Sequence, residues 1–198
     1  MAPFDYPDVP HNRIHGPDGY VDYERFRPWL RDEFLFRCVY CLKREQWGVL
    51  RGTYHLEHFL PQAVSPDETL NYENLLYSCA ACNAAKGTEL IPDPCQWLLS
   101  GRVIVHDDGR LEAQTREAAR IIRKLGLDDA EYREFRRLWI GIVRLAQRVD
   151  PALFRMIMRY PDDLPDLSRL RPPSNSKPGG VDQSCHARRR RGELLETY

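Results

Sequence analysis

Apolar residues follow two different rhythms along this chain. The second half shows helical spacing. Ala118, Ile121, Ile122 and Leu125 share one face, with Gly126 placed to end that helix. A longer stripe follows, through Tyr132, Phe135, Leu138, Trp139, Ile142, Val143, Ala146 and Val149, and Asp128 with Glu131 can form its capping box. Asp150-Pro151 then starts a short last helix running to about Tyr160. The first half carries strand-like runs. A hairpin is predicted from Trp47 to Arg51 and Tyr54 to Phe59, with Gly52 near the turn and Pro61 ending the second strand. A loop through Pro66, Asp67 and Asn71 leads to a short helix closed by Gly87. A second small hairpin is predicted over 102–106 and 110–113, around the turn Asp107-Asp108-Gly109. Arg25 to Phe36 reads as a short helix after an extended arm rich in Pro, Gly, Asp and Tyr. From Pro161 the periodicity disappears and Pro, Ser and Gly rise, which predicts a disordered tail with a basic cluster, Arg188 to Arg191. That cluster reads either as a solvated run or as an auxiliary phosphate contact.

Composition narrows this picture without changing it. With 198 residues and 42% hydrophobic content the chain can build a core, so wholesale disorder is excluded. No apolar run approaches the ~18 residues of a membrane span, and the first residues show no basic and apolar leader, so a cytoplasmic protein is expected. Formal net charge is +0, but residues 61–109 carry two basic against seven acidic side chains, and residues 110–159 carry twelve against seven. Any grip on nucleic acid should therefore come from local Arg clusters and weaken with salt. Arginine outnumbers lysine 25 to 4, a bias that a GC-rich genome would produce by itself.

Six cysteines without a leader point to metal ligation or free thiols before disulfides. Cys38-Val-Tyr-Cys41 and Cys79-Ala-Ala-Cys82 form two C-x-x-C turns. Two such knuckles complete a tetrahedral site for a structural zinc with no open position, and the alternative is chance spacing or a redox pair. Cys95 is expected as a small buried hydrophobe and Cys185 as a loose thiol in the tail.

Between the knuckles lies His55-Leu56-Glu57-His58-Phe59-Leu60-Pro61, then Asn74, then Asn83-Ala-Ala-Lys86-Gly87. Adjacent residues at a strand end point their side chains apart, so Glu57 and His58 can serve two jobs. Glu57 is a hard oxygen donor suited to Mg²⁺ or Mn²⁺. His58, with an ordinary pKa near ~6.5, can take a proton from water at neutral pH. Asn83 offers a neutral oxygen, and Asn74 can fix the imidazole through the ring or the local backbone. His58 could instead be an ordinary histidine or a further zinc ligand. His55 could assist a metal or touch phosphate, or simply pack. Lys86 could contact phosphate, or be a surface lysine that ends a helix.

These segments resemble the HNH endonucleases, built on a ββα-metal finger. The residues that carry the likeness are CVYC, HLEHFLPQ and NLLYSCAACNAAKG, within residues 36–92. The resemblance implies His58 as general base, Glu57 and Asn83 as ligands of one Mg²⁺-type ion, and Asn74 as the residue that orients the base. It implies hydrolysis of DNA phosphodiesters, leaving a 5′-phosphate. The family often has Asp where Glu57 stands. The expected fold is α+β: an N-terminal arm and helix over 1–35, the nuclease core over 36–92, a hairpin with helical extension over 93–160, and the tail over 161–198. The extension could bind DNA, dimerise or dock a protein partner. Two other functions compete: a zinc-ribbon module that binds nucleic acid or protein without cutting, and an RNA-cleaving toxin on the same finger.

Overall fold

A computed structural model describes residues 3–48 and 53–198. The chain is α+β, with a four-cysteine cluster between its sheets and helices. The arm leads through β1 (Pro17–Asp18) into α1 (Arg27–Glu33), whose Pro28 lies in the first turn, where a missing amide hydrogen costs nothing. Leu35 and Phe36 then adopt positive φ, turning the chain into the first knuckle.

The central hairpin differs from the expected one. Trp47 sits in a 3-10 turn, Glu45–Trp47, and Arg51 and Gly52 lie outside the described residues. The strand β2 (Tyr54–His58) instead pairs antiparallel with β3 (Leu75–Cys79), from Tyr54 opposite Cys79 to His58 opposite Leu75. The partner is not the nearest apolar run but β3, which is buried at all five positions and so shows no alternation. The chain passes straight from β3 into α2 (Ala80–Lys86), which Gly87 ends at φ 55°, as expected.

Next come α3 (Pro94–Trp97) and the small hairpin of β4 (Val103–Val105) and β5 (Leu111–Ala113), at the predicted place. Its turn needs glycine twice over. Gly109 has φ 85°, and a Cβ there would lie 2.1 Å from the Arg133 carbonyl oxygen on the helix behind it. Then follow α4 (Arg116–Lys124), α5 (Ala130–Val149) and α6 (Pro151–Met158). The Asp150 carboxylate caps α6 by accepting from the Ala152 and Leu153 amides. The predicted capping box of α5 does not form. Asp129 is its N-cap, and the Asp128 carboxylate accepts from the Leu111 amide and pairs with Arg133.

The stripe of α5 is also rotated from its predicted face. Phe135 and Trp139 pack inward against Trp47, with Trp139 stacked on it at 4.4 Å, but Leu138 and Val149 are exposed. Arg136, on the same helix, is buried and donates from Nε to the Gly109 carbonyl at 2.6 Å. A guanidinium on the core side satisfies the hairpin turn that a hydrophobe would leave unpaired.

Residues 161–198, expected as a disordered tail, are structured. They contain β6 (Ser174–Asn175), which pairs with β1, then α7 (Gly180–Gln183) and α8 (Cys185–Arg190). Leu167 and Cys185 are buried, and the Cys185 amide donates to the Asp32 carboxylate at 2.8 Å. Tyr198 stacks on Tyr160 at 4.2 Å and covers the Arg44 guanidinium. Cys185 is thus no loose thiol, while Cys95 is buried as expected. Arg188 to Arg190 lie on α8, and Arg191 pairs with Glu193. Among the described residues no helix is long and apolar enough to cross a membrane.

Candidate functional site

Both knuckles place their thiols on one point. The first, Cys38 to Cys41, closes through the Cys38 amide to the Lys43 carbonyl and the Leu42 amide to the Cys38 carbonyl, with Leu42 at positive φ. The second straddles the junction of β3 and α2, so Cys79 ends the strand and Cys82 lies in the helix's first turn. All four are buried, their sulfurs lie within 4.8 Å of one another, and none forms a disulfide. Sulfurs ~2.3 Å from a tetrahedral zinc are about 3.8 Å apart. The Cys41–Cys79 separation of 3.7 Å matches, so the cluster fits a structural zinc. Tyr132 on α5 reaches Cys82 Sγ at 3.3 Å, which ties the helical extension to the cluster.

The strand β2 then carries Glu57 and His58 at its end, with side chains on opposite faces. His58 is half-buried. Its Nε2 lies 3.0 Å from the Thr69 carbonyl oxygen. A carbonyl can only accept, so this contact places the ring hydrogen on Nε2 and the free lone pair on Nδ1. Gln62 Nε2 lies 3.3 Å from the same ring nitrogen; as a second donor it cannot bond a protonated Nε2, and the shorter Thr69 contact sets the tautomer, while Tyr23 packs edge-on against the ring at 4.9 Å. Burial pulls the His58 pKa below its ordinary value, helped by the charge of Lys86 and opposed by the Thr69 carbonyl. The ring is therefore held neutral, with one tautomer selected.

Asn74 acts through the backbone. Its Oδ1 accepts from the Leu60 amide at 2.7 Å, and its Nδ2 donates to the Leu60 and Glu68 carbonyls. Its own carbonyl accepts from the Phe59 amide. Asn74 thus clamps the loop after His58 onto the loop that supplies Thr69. Among the described residues it makes no bond to the imidazole itself.

Glu57 departs from its expected role. It is 3% exposed, with Oε1 2.7 Å from Lys86 Nζ and Oε2 accepting from Tyr40 OH at 2.5 Å. Burial pushes its carboxyl up and Lys86 opposes that shift; burial and the neighbouring carboxylate push the Tyr40 hydroxyl up as well. With both oxygens engaged and the residue sealed from solvent, Glu57 does not fit the role of a ligand to a catalytic Mg²⁺ or Mn²⁺. Lys86 also departs from the phosphate contact expected of it. It is fully buried, paired with Glu57 and donating to the His58 carbonyl at 2.9 Å, so it reaches no phosphate. Instead it bolts the end of α2 to the end of β2. Asn83 is half-buried on α2, and its side chain makes no hydrogen bond among the described residues.

His55 is exposed and stands apart from His58. It lines a groove of about 770 Å³ in which Arg27, Arg31 and Arg159 face Glu45, Asp162 and Asp163. Arg31 bonds both Glu45 and Asp163, and Arg159 pairs with Asp162, so the groove has little net positive charge for a phosphate. Three participants had no signal in the sequence: Tyr40, which reads as filler inside the first knuckle, Tyr23 in the arm, and Thr69, which contributes only a carbonyl.

Fold and site together define an α+β protein in which two cysteine knuckles staple a β-β-α unit around an oriented, neutral histidine. No family model matches the chain. It is similar to the Septu protein PtuB of Bacillus thuringiensis, at 43% identity over 54 residues, which is 26% of this chain and 20% of that protein. The match therefore spans about a fifth of the relative's length.

Proposed function

We propose that the protein is a nuclease of the HNH type that hydrolyses DNA phosphodiester bonds with His58 as general base. One observation carries the reading: the Thr69 carbonyl at 3.0 Å selects the tautomer that leaves Nδ1 free to accept a proton. Cleavage requires a water deprotonated as it attacks phosphorus, in line with the leaving oxygen. Nδ1 takes that proton, and the Thr69 carbonyl stabilises the imidazolium that forms. Asn74 and Lys86 hold the two sides of the imidazole's backbone, so the ring does not reorient during the reaction. Zinc in the four-cysteine site does no chemistry and fixes β3 to α2. The similarity to the Septu protein PtuB over 54 residues is consistent with a module shared with that protein.

A binding module would have no use for a histidine whose tautomer is selected in this way, which favours the catalytic reading over the zinc-ribbon alternative. The test is plasmid nicking by wild type and His58→Ala in buffer containing Mg²⁺ or Mn²⁺, with RNA as a parallel substrate. The variant should lose at least ~10²-fold in rate while keeping its zinc and its circular dichroism. Degradation of RNA with plasmid left intact would replace DNA as the substrate.

A further inference from the structure

The helix α5 carries a second apolar stripe that nothing among the described residues covers. Leu138, Leu145 and Val149 are 53%, 52% and 63% exposed, and Ile142 between them is only half-buried. Their spacing of four, three and four residues is the 3.5-residue period of a helix–helix seam, and it lies beside the stripe that faces the core. The β-branched residues alternate with the leucines, as they do at a and d positions. Gly141 lies in the middle of this stripe. It is exposed, and a Cβ there would meet nothing within 4 Å. Glycine inside a helix costs about 1 kcal/mol relative to alanine, and no neighbour among the described residues accounts for that cost. A missing side chain at the centre of an exposed apolar stripe lets a second helix axis come close.

We infer that this stripe is the interface with a second copy of the chain, crossed antiparallel about a two-fold axis near Gly141 and Ile142. In that arrangement Leu138 meets Leu145 of the second copy, and Ile142 enters the gap over the second copy's Gly141. Glu134 comes beside the second copy's Arg148. Both are exposed; Glu134 also pairs with Arg137 one turn along its own helix, while Arg148 has no ion pair among the described residues and is left to meet it. A parallel crossing brings Glu134 and Arg148 beside neither each other nor any opposite charge of the stripe, so the charges choose the antiparallel one. The contact is isologous and closed, which limits assembly to a dimer. Four side chains per copy cover less than the ~800 Å² per partner of a standard interface, so association is concentration-dependent, roughly in the micromolar range.

Sedimentation velocity across roughly 1–300 µM tests this, and its readout is mass, independent of cleavage. Wild type should pass from monomer to dimer. Leu145→Glu, with zinc content and circular dichroism unchanged, should raise the dissociation constant at least ~30-fold. Glu134→Arg and Arg148→Glu should each weaken the dimer, and the double exchange should recover most of the loss. A chain that stays monomeric throughout overturns the inference, including the case where a different protein occupies the stripe. So does a dimer indifferent to Leu145→Glu, or a double exchange weaker than either single change.

Discussion

Glu57 and His58 show how far apart two neighbouring side chains can end. The strand sends His58 toward a carbonyl that sets its tautomer and sends Glu57 into the core against Lys86 and Tyr40. Replacing Lys86 with Met strands a buried carboxylate, and breaking such a pair costs about 3–5 kcal/mol. Glu57→Gln, which strands the ammonium, should destabilise similarly in chemical denaturation. A metal ligand would behave otherwise: in chelator its neutralisation should leave stability level or raise it. The pH dependence follows from His58. Its pKa lies below the ordinary imidazole value, so Nδ1 stays unprotonated to lower pH than in a free histidine, and it is lost as a base only when pH falls through the depressed value. The acid limb of the cleavage rate should therefore lie below ~6.5; a limb above that would contradict the burial of the ring. The sequence marked the four cysteines, because residue type and spacing encode their role. It could not mark Thr69, whose contribution is a backbone carbonyl, nor the inward turn of Glu57, which depends on Tyr40 and Lys86 arriving from other elements.

At the scale of elements, α2 is the hinge of the account. Seven residues make a marginal helix by themselves, and here each end is anchored, by Cys79 and Cys82 at the start and by Lys86 at the end. Removing the metal should free β3 and α2 together. A strong chelator should abolish the cooperative unfolding transition of the β-β-α unit, while α4 to α6 keep their helical signal; full retention of the transition would mean the knuckles hold without zinc. Helices were legible from their 3.6-residue rhythm and their Asp-Pro and Gly boundaries. The partner of β2 was not, because a strand buried on both faces has no alternation to read. The rotation of α5 was hidden for a related reason. The helix has two apolar stripes, and only the packing of Phe135 and Trp139 on Trp47 shows which one faces inward.

Over the whole molecule, segments distant in sequence close on one another. The C-terminal segment pairs with the arm through β1 and β6, and bonds the Asp32 carboxylate on α1 through the Cys185 amide. Its anchors are single buried residues and backbone pairings, which leave no periodic pattern, and so the segment read as disordered. Burial pushes the Cys185 thiol pKa up, so in the native protein it should react with iodoacetamide far more slowly than in the denatured chain; equal rates would restore the picture of a loose tail. Charge also redistributes in three dimensions. Arg144 pairs with Asp107, and Lys124 with Glu89, so basic residues of the extension are answered by the acidic stretch before it. Any remaining grip on nucleic acid comes from individual arginines, and salt should weaken it.

Whether His58 is the base that cuts DNA is decided by the nicking rate of supercoiled plasmid by purified wild type and His58→Ala, measured side by side in the presence of Mg²⁺ or Mn²⁺. If His58 is the general base, the rate should fall at least ~10²-fold in a variant that retains its zinc and its thermal transition. Cutting by His58→Ala at the wild-type rate would contradict it.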